Sequence, residues 1–303
     1  MKQAFFKGKF VPFSEAKISI MTHAFNYGTA CFEGIRGYYN NNKKQLYILK
    51  LTEHYERLIQ SCKIVRINLK YSLEEMCKTT LELAKRNDYQ EDVYIRPLAY
   101  KSEEKIGLGL SGVEDDFCIY LSPFGKYLDT TKGIKVAVST WRRIDDSSIP
   151  ARAKLTGSYI NSSLAKSEAK ENGFDEAIML SMDGHVSEGS GENLFLVRGR
   201  KLITPYLADN ILEGITRNSV IELAKNELGL EVEERSVDRT ELYVADEIFL
   251  CGTGAEIAPV LEVDRRSVKE GKIGSITKKL QELYFSAVRG ETSKYSSWLT
   301  PVK

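Results

Sequence analysis

The chain has 303 residues, 42% of them hydrophobic, enough for two ordinary domains with their own cores. Its 43 Lys and Arg offset 42 Asp and Glu to a formal charge of +1, with no long run of one sign, so composition makes no electrostatic case for nucleic acid or an anionic membrane. Five scattered cysteines, never spaced C-x-x-C, argue against a disulfide framework or zinc site and point to a reducing, cytoplasmic setting; the charged, proline-bearing N-terminus does not read as a signal peptide, and no stretch reaches transmembrane length.

In chain order, "ACFEGIRGYYN" (30–40) and "LYILKL" (46–51) read as strands around a turn. "LTEHYERLIQSCKIV" (51–65) and "SLEEMCKTTLELAKRN" (72–87) have apolar residues at helical spacing. In the second, Leu73, Met76, Cys77, Thr80, Leu81 and Ala84 fall on one face, and Ser72 with Glu75 three residues on forms a capping-box signature. "DVYIRPLAY" (92–100) and "DFCIYLSPF" (116–124) follow as strands. The polar, glycine-flanked "GKYLDTTKG" (125–133) reads as an interdomain loop. Beyond it come strand 134–141, helix 158–173, strand 176–181, the loop "SEGSGENLF", strand 193–199, a short run 201–205, helix 215–229 and strand 246–252. The expected fold is α+β in two domains: a small N-terminal domain (1–123), a loop (124–133) and a larger C-terminal domain (134–303).

Several chemistries lack their residues. His23, His54 and His185 lie far apart in sequence and form no metal-ligand pair, so each reads as a structural or surface histidine. There is no G-x-S-x-G elbow, and Cys251, in or after an apolar strand, reads as a small buried hydrophobe. The glycine pair of "SEGSGENLF" (187–195) suggests a phosphate cradle, but no Gly-Lys-Ser/Thr follows, and its two carboxylates would repel phosphate. Lys154 stands between a proline-containing extended stretch and a glycine turn that opens a helix. What singles it out is the order of features after it: Tyr159, Glu188, "GITR" (214–217) and "GTGAEI" (252–257).

With "YGTACFEGIRGY" (27–38), "YIRPL" (94–98), "ARAKLTGSY" (151–159), "SEGSGENLF", "LEGITR" (212–217) and "CGTGAEI" (251–257), that order resembles the fold-type IV, or class IV, pyridoxal-phosphate aminotransferases, and more closely the branched-chain amino acid aminotransferases. The resemblance spans most of the chain. It implies a D-amino acid aminotransferase-like fold with a C-terminal pseudo-barrel domain, pyridoxal 5'-phosphate as cofactor, small amino acids and 2-oxo acids as partners, and at least a homodimer. The reaction implied is reversible transfer of the amino group of L-leucine, L-isoleucine or L-valine to 2-oxoglutarate.

By the same resemblance Lys154 is the Schiff-base lysine, an amine that must be unprotonated at working pH and that serves as the base once substrate displaces it. Glu188 holds the proton on the ring nitrogen and Tyr159 bonds the phenolic oxygen. Gly214, Ile215 and Thr216 open a helix suited to the phosphate, joined by Arg57, Gly252 and Thr253, while Gly191, Asn193 and Leu212 complete the cofactor set. Tyr27, Phe32, Tyr94, Arg96, Tyr127 and the "GLGL" loop (107–110) with Leu108 and Leu110 are the implied substrate walls, Arg96 near the glutamate end. Thr253, Gly254 and Ala255 are implied for the α-carboxylate, and the "GLGL" loop is the candidate to cross between subunits. The same C-terminal apparatus also resembles D-amino acid aminotransferases, amine transaminases and 4-amino-4-deoxychorismate lyase. A non-enzymatic anion-binding protein in which the loop is only a turn is the third reading.

Overall fold

The computed structural model describes residues 2–125 and 127–302. The chain divides into two compact units, one of Met1–Gly125, Ala153–Ser158 and Ser286–Lys303, the other of Lys126–Arg152 and Tyr159–Phe285. This differs from a single cut over 124–133, because two later segments return to the first unit. Residues 153–158 hydrogen-bond to residues 28–32, and Leu299–Pro301 adds as an antiparallel strand to Gln45–Leu49. Within the loop itself, the Asp129 carboxylate accepts from the amides of Thr131 and Lys132 at 2.9 and 2.8 Å, a local turn that competes with regular structure.

The first unit is built on an eight-stranded antiparallel sheet. Its order runs Leu299–Pro301, Gln45–Leu49, Ile35–Asn40, Val93–Lys101, Asp115–Pro123, Gln3–Phe6, Lys9–Pro12, with Ala30–Phe32 also paired to Val93–Lys101. The expected single strand 30–40 is two strands, broken at Glu33 and Gly34. The break explains how Pro97 sits inside a central strand: its carbonyl accepts from the Glu33 amide at 3.0 Å, so its missing N–H faces the interruption. Helices Leu51–Ile64 and Leu73–Asn87 pack on one another and on this sheet, with Tyr55, Leu58, Met76, Leu83 and Phe117 buried. The second helix starts at the expected capping box, Ser72 accepting from the Glu75 amide. Its buried face is Met76, Thr80, Leu83 and Ala84, while Leu73, Cys77 and Leu81 are half-buried, a small rotation from the expected stripe.

The second unit carries a nine-stranded mixed sheet. Its order is Val186–Gly189, Glu176–Leu180, Ile134–Arg142, Glu256–Val263, Glu247–Gly252, Asn193–Arg198, Lys201–Thr204, Glu231–Glu234, with the short Arg266–Ser267 off the path. The ends of the path approach one another, as the Val186 amide donates to the Val237 carbonyl at 2.8 Å and His185 bridges Asp238, which gives the pseudo-barrel character. Strands such as Asn193–Arg198 and Glu247–Gly252 are nearly all buried, with Phe195 stacked on its cross-strand partner Phe249 at 5.1 Å. The core is Val136, Ile178, Leu194, Leu196, Ile248 and Val260 with their neighbours. Helices Tyr159–Glu171 and Ile215–Leu228 lie where the sequence places them. Ser187 and Glu188 sit on a strand rather than in a loop, so only 190–192 is left to turn.

Candidate active site

In the first unit, Lys154 is held by its backbone on two sides. Its carbonyl accepts from the Phe32 amide at 3.0 Å and its amide donates to Ser61 Oγ at 3.2 Å, while Thr156 and Gly157 continue the pairing onto Ala30 and Gly28. Gly28 makes this docking possible: at φ +65° it occupies the left-handed region, and a Cβ there would come within 2.7 Å of Gly157 Cα. The anchored backbone turns the half-buried Lys154 side chain over Phe32, with Nζ 5.0 Å from the ring centroid. Arg96 uses the same ring, its guanidinium carbon 4.3 Å from the centroid, and donates from Nη2 to the Tyr94 hydroxyl at 2.8 Å. Arg96 Nε is buried with no hydrogen-bond partner among the described residues, a donor left for something else. Lys154, Phe32, Tyr94 and Arg96, chosen from distant motifs, are thus one cluster.

Behind Phe32 lies a group that sequence reasoning missed. Glu33 is fully buried and takes two bonds from Arg57, Nε to Oε1 at 2.8 Å and Nη2 to Oε2 at 2.7 Å, plus a 2.7 Å bond from His54 Nδ1. Burial alone would push the Glu33 carboxyl up, but the Arg57 charge and the bonds from His54 and Arg57 outweigh it and hold it at about 2. Burial pushes His54 below the ordinary imidazole range against its bond to Glu33, and the Arg57 and Lys154 charges act in the same downward direction. Arg57 is therefore a buried, braced cation rather than a solvated helix residue. The available signal was a lone acid inside the apolar run "ACFEGI".

Tyr27 and the "GLGL" loop also come together. The Gly107 amide donates to the Tyr27 hydroxyl at 3.2 Å, and the buried His23 ring bonds the Gly107 carbonyl through Nε2 at 2.8 Å. Leu110 is half-buried, whereas Leu108 is 80% exposed.

In the second unit, buried Glu188 is surrounded by donors. Arg143 Nη2 lies 2.8 Å from Oε1, and Oε2 accepts from Asn193 Nδ2 at 2.9 Å and the Leu212 amide at 3.1 Å. All three favour the ionised carboxylate. Asn193 Nδ2 also bonds the Leu212 carbonyl, and its Oδ1 lies 1.9 Å from where a Cβ on residue 214 would stand, so Gly214 is required by this close approach. Arg143, which the sequence reading missed, spans the site: Nη1 reaches Ser162 Oγ on the helix that Tyr159 opens, and Nε reaches the Asn210 carbonyl.

Gly214 caps helix Ile215–Leu228 without a side-chain bond, and the buried first-turn amides of Ile215 and Thr216 have no protein acceptor among the described residues. A buried helix start left open in this way suits an anion. Thr253, Gly254 and Ala255 form the tip of the hairpin closed by the Gly252 and Glu256 pair. Tyr127 is half exposed, with Lys166 Nζ 5.3 Å from its ring centroid. Gly191 is exposed, its amide turned to the neighbouring Glu192 carboxylate. Glu192, Glu176 and Lys166 form a second charged cluster that the sequence reading missed, although Glu192 lies inside its motif.

Residues 30–263 match the family model of amino-transferase class IV. The chain is 55% identical to a protein of Aquifex aeolicus named probable branched-chain-amino-acid aminotransferase, over 100% of this chain and 97% of that one. Among solved structures it superposes at TM-score 0.95 and 45% identity on the branched-chain aminotransferase of Thermoproteus uzoniensis with norvaline, covering 100% of this chain and 99% of that one. It superposes at TM-score 0.95 and 43% identity on the branched-chain amino acid aminotransferase of Thermobaculum terrenum in its PLP-form, covering 100% of this chain and 98% of that one. With Phe32, Tyr94 and Arg96 gathered at Lys154 and Asn193 and Leu212 gathered at Glu188, the chain belongs to the class IV aminotransferases, in the branched-chain amino acid aminotransferase family.

Proposed function

We propose that this chain transfers the amino group of L-leucine, L-isoleucine or L-valine to 2-oxoglutarate, reversibly, with pyridoxal 5'-phosphate as cofactor. The observation that carries the reading is the cluster in which an anchored lysine amine and an arginine with a spare buried donor share the Phe32 ring. A pocket that accepts an aliphatic side chain in one half-reaction and a second carboxylate in the other needs an apolar wall and a cation side by side.

The residues fit the cofactor: the open amides at Ile215 and Thr216 suit its phosphate, and Glu188 suits a protonated ring nitrogen. Bound pyridoxal phosphate supplies an aldehyde that condenses with amines and a ring that withdraws electrons from the amino acid α-carbon. Lys154 Nζ would hold the cofactor through its aldehyde and, once displaced by substrate, would be the base placed to take the α-proton. Glu188 keeps the ring nitrogen protonated, with Arg143, Asn193 and Leu212 fixing its carboxylate. The Tyr159 hydroxyl bonds the phenolic oxygen. Thr216, Arg57, Gly252 and Thr253 add donors for the phosphate, and Gly191 and Gly214 let the backbone come close.

Phe32, Tyr94, Tyr27, Tyr127, Leu108 and Leu110 line the side-chain space, and Arg96 takes the distal carboxylate of glutamate. The Thr253, Gly254 and Ala255 turn takes the α-carboxylate. The enzyme works as a homodimer in the cytoplasm. Supporting the dimer, the first unit exposes Ile20, Ile106 and Leu108 to about 80% each, a costly apolar surface for a lone chain. Among the described residues all five cysteines are free, and no helix is long and apolar enough to cross a membrane.

Purified enzyme loaded with pyridoxal phosphate should convert all three branched amino acids when 2-oxoglutarate is present. Borohydride should fix the cofactor to the peptide containing Lys154, and Lys154→Ala should lose at least ~10³-fold in turnover. No turnover with any of the three, or greater activity on D-alanine than on L-leucine, overturns this substrate assignment.

A further inference from the structure

Three carboxylates crowd one region of the second unit with two cations. Glu188 has Arg143, and Glu176 has Lys166 on helix Tyr159–Glu171. Glu192 has neither. Although buried, its carboxylate accepts among the described residues only the Gly191 amide, at 3.1 Å. The groups facing it are Glu176 from strand Glu176–Leu180, Lys166 from the helix, Glu188 from strand Val186–Gly189, Tyr127 from the chain before Ile134 and the Cys251 thiol from strand Glu247–Gly252. Lys166 is the one cation among them, and it is already bonded to Glu176.

Glu192 also lies against the turn assigned above to the substrate carboxylate. A Cβ on Gly252 would stand 3.7 Å from Glu192 Cα and 3.8 Å from its Cγ, with Gly191 O at 3.5 Å, so the Glu192 loop rests directly on the base of the 252–255 turn. The side chain folds back over its own loop, its Oε2 being 2.8 Å from where a Gly189 Cβ would be.

We infer that Glu192 is a positioning residue that works as a neutral acid: while it keeps its proton the 252–255 turn accepts an anionic carboxylate, and when it ionises it repels that anion. This rests on the carboxylate-binding role proposed for the turn. An unpaired buried carboxylate is expensive, and holding a proton removes that cost. The chemistry agrees: burial first, then the Glu176 charge, push the Glu192 carboxyl up to about 8 against the pull of Lys166 and the Gly191 amide. The switch therefore falls just above neutral pH, and the ionised form is the inhibitory one.

The experiment compares wild type with Glu192→Gln, a fixed copy of the neutral form, both loaded with pyridoxal phosphate. Two quantities are followed from pH 6.5 to 9.5: KM for 2-oxoglutarate against kcat, and the calorimetric affinity for glutarate, a dicarboxylate that cannot react. Above pH 8 the wild type should lose affinity for both by about tenfold relative to Glu192→Gln, with kcat changing equally in the two proteins. Should Glu192→Gln fail to fold, wild-type calorimetry in buffers of different ionisation enthalpy still decides. Near pH 8.5 glutarate should bind with proton uptake beyond that reported by the absorbance of the Lys154-bound cofactor. Parallel pH profiles for the two proteins, or no excess uptake, overturn the inference. Loss of turnover with every branched amino acid would overturn the activity reading alone, because the glutarate titration needs no turnover.

Discussion

Glu33 in the first unit and Glu192 in the second are both buried, yet they are driven to opposite ends of the carboxylate range. Glu33 is held at about 2 and Glu192 is pushed up to about 8. Burial acts in the same direction on both. The difference is partners: Glu33 receives the Arg57 fork and the His54 N–H, whereas Glu192 faces a lysine already bonded to Glu176. Within one chain, the supply of cations and donors decides whether a buried acid is an ionic brace or a proton store.

Removing the brace is the harshest way to break this contrast. Glu33→Ala leaves Arg57 and His54 facing each other in a buried site, and should cost about 3–5 kcal/mol in denaturant unfolding. The sign of its pH dependence follows from the lowered carboxyl. Stability contributed by Glu33 is present above the ordinary carboxylate pKa near 4.5 and is lost as pH falls through about 2. A Glu33→Gln protein should lack that acid-side loss in unfolding curves taken from pH 5 to pH 2. Equal stability of wild type and Glu33→Ala at pH 7 would mean that the carboxylate braces nothing.

These two sites also mark how far sequence reading reaches. Local signals were legible: the Ser72 and Glu75 capping box, the helix spacing of 73–87, and motifs whose residues act near one another, such as Glu188 with Asn193 and Leu212. Contacts with long loops between them were not. Glu33 meets His54 and Arg57 across 21 and 24 residues, and nothing in the apolar run around it says which cations will arrive. The same limit hid the return of 153–158 to pair with 28–32, which puts Lys154 in the first unit rather than in the larger C-terminal domain. Pro97 looks wrong for a central strand until the break at Glu33 and Gly34 is known.

A middle case sharpens the contrast. Glu188 meets the Arg143 guanidinium at one oxygen and the neutral donors of Asn193 and Leu212 at the other, where both oxygens of Glu33 are taken by the Arg57 fork. Replacing Arg143 by Met should leave Asn193 and Leu212 in place and keep the fold, but remove the guanidinium from Glu188 Oε1 and loosen the helix link through Ser162. Turnover with L-leucine should fall by about 10²-fold, or roughly 2.7 kcal/mol in the barrier, through misplacement of the ring-nitrogen partner. A kcat within twofold of wild type would assign Arg143 to packing alone.

The gentlest change tests the proton store through folding rather than catalysis. Below pH 4.5 Glu192 is protonated in both folded and unfolded chains and has no differential effect. Between there and about 8 the unfolded chain releases the proton while the folded one keeps it, so folding binds a proton and stability falls as pH rises. The loss is complete once the folded carboxyl ionises. Glu192→Gln has no such linkage, so the stability difference between the two proteins should drift in favour of the variant across pH 5 to 8 and level off above it. Thermal unfolding of the cofactor-free proteins at matched ionic strength measures this drift. The direction separates the two acids cleanly: substitution of Glu33 removes a loss that wild type suffers toward acid, and substitution of Glu192 removes one that it suffers toward base. A drift of the opposite sign would mean that Glu192 has a cation of its own in solution, and the contrast with Glu33 would disappear.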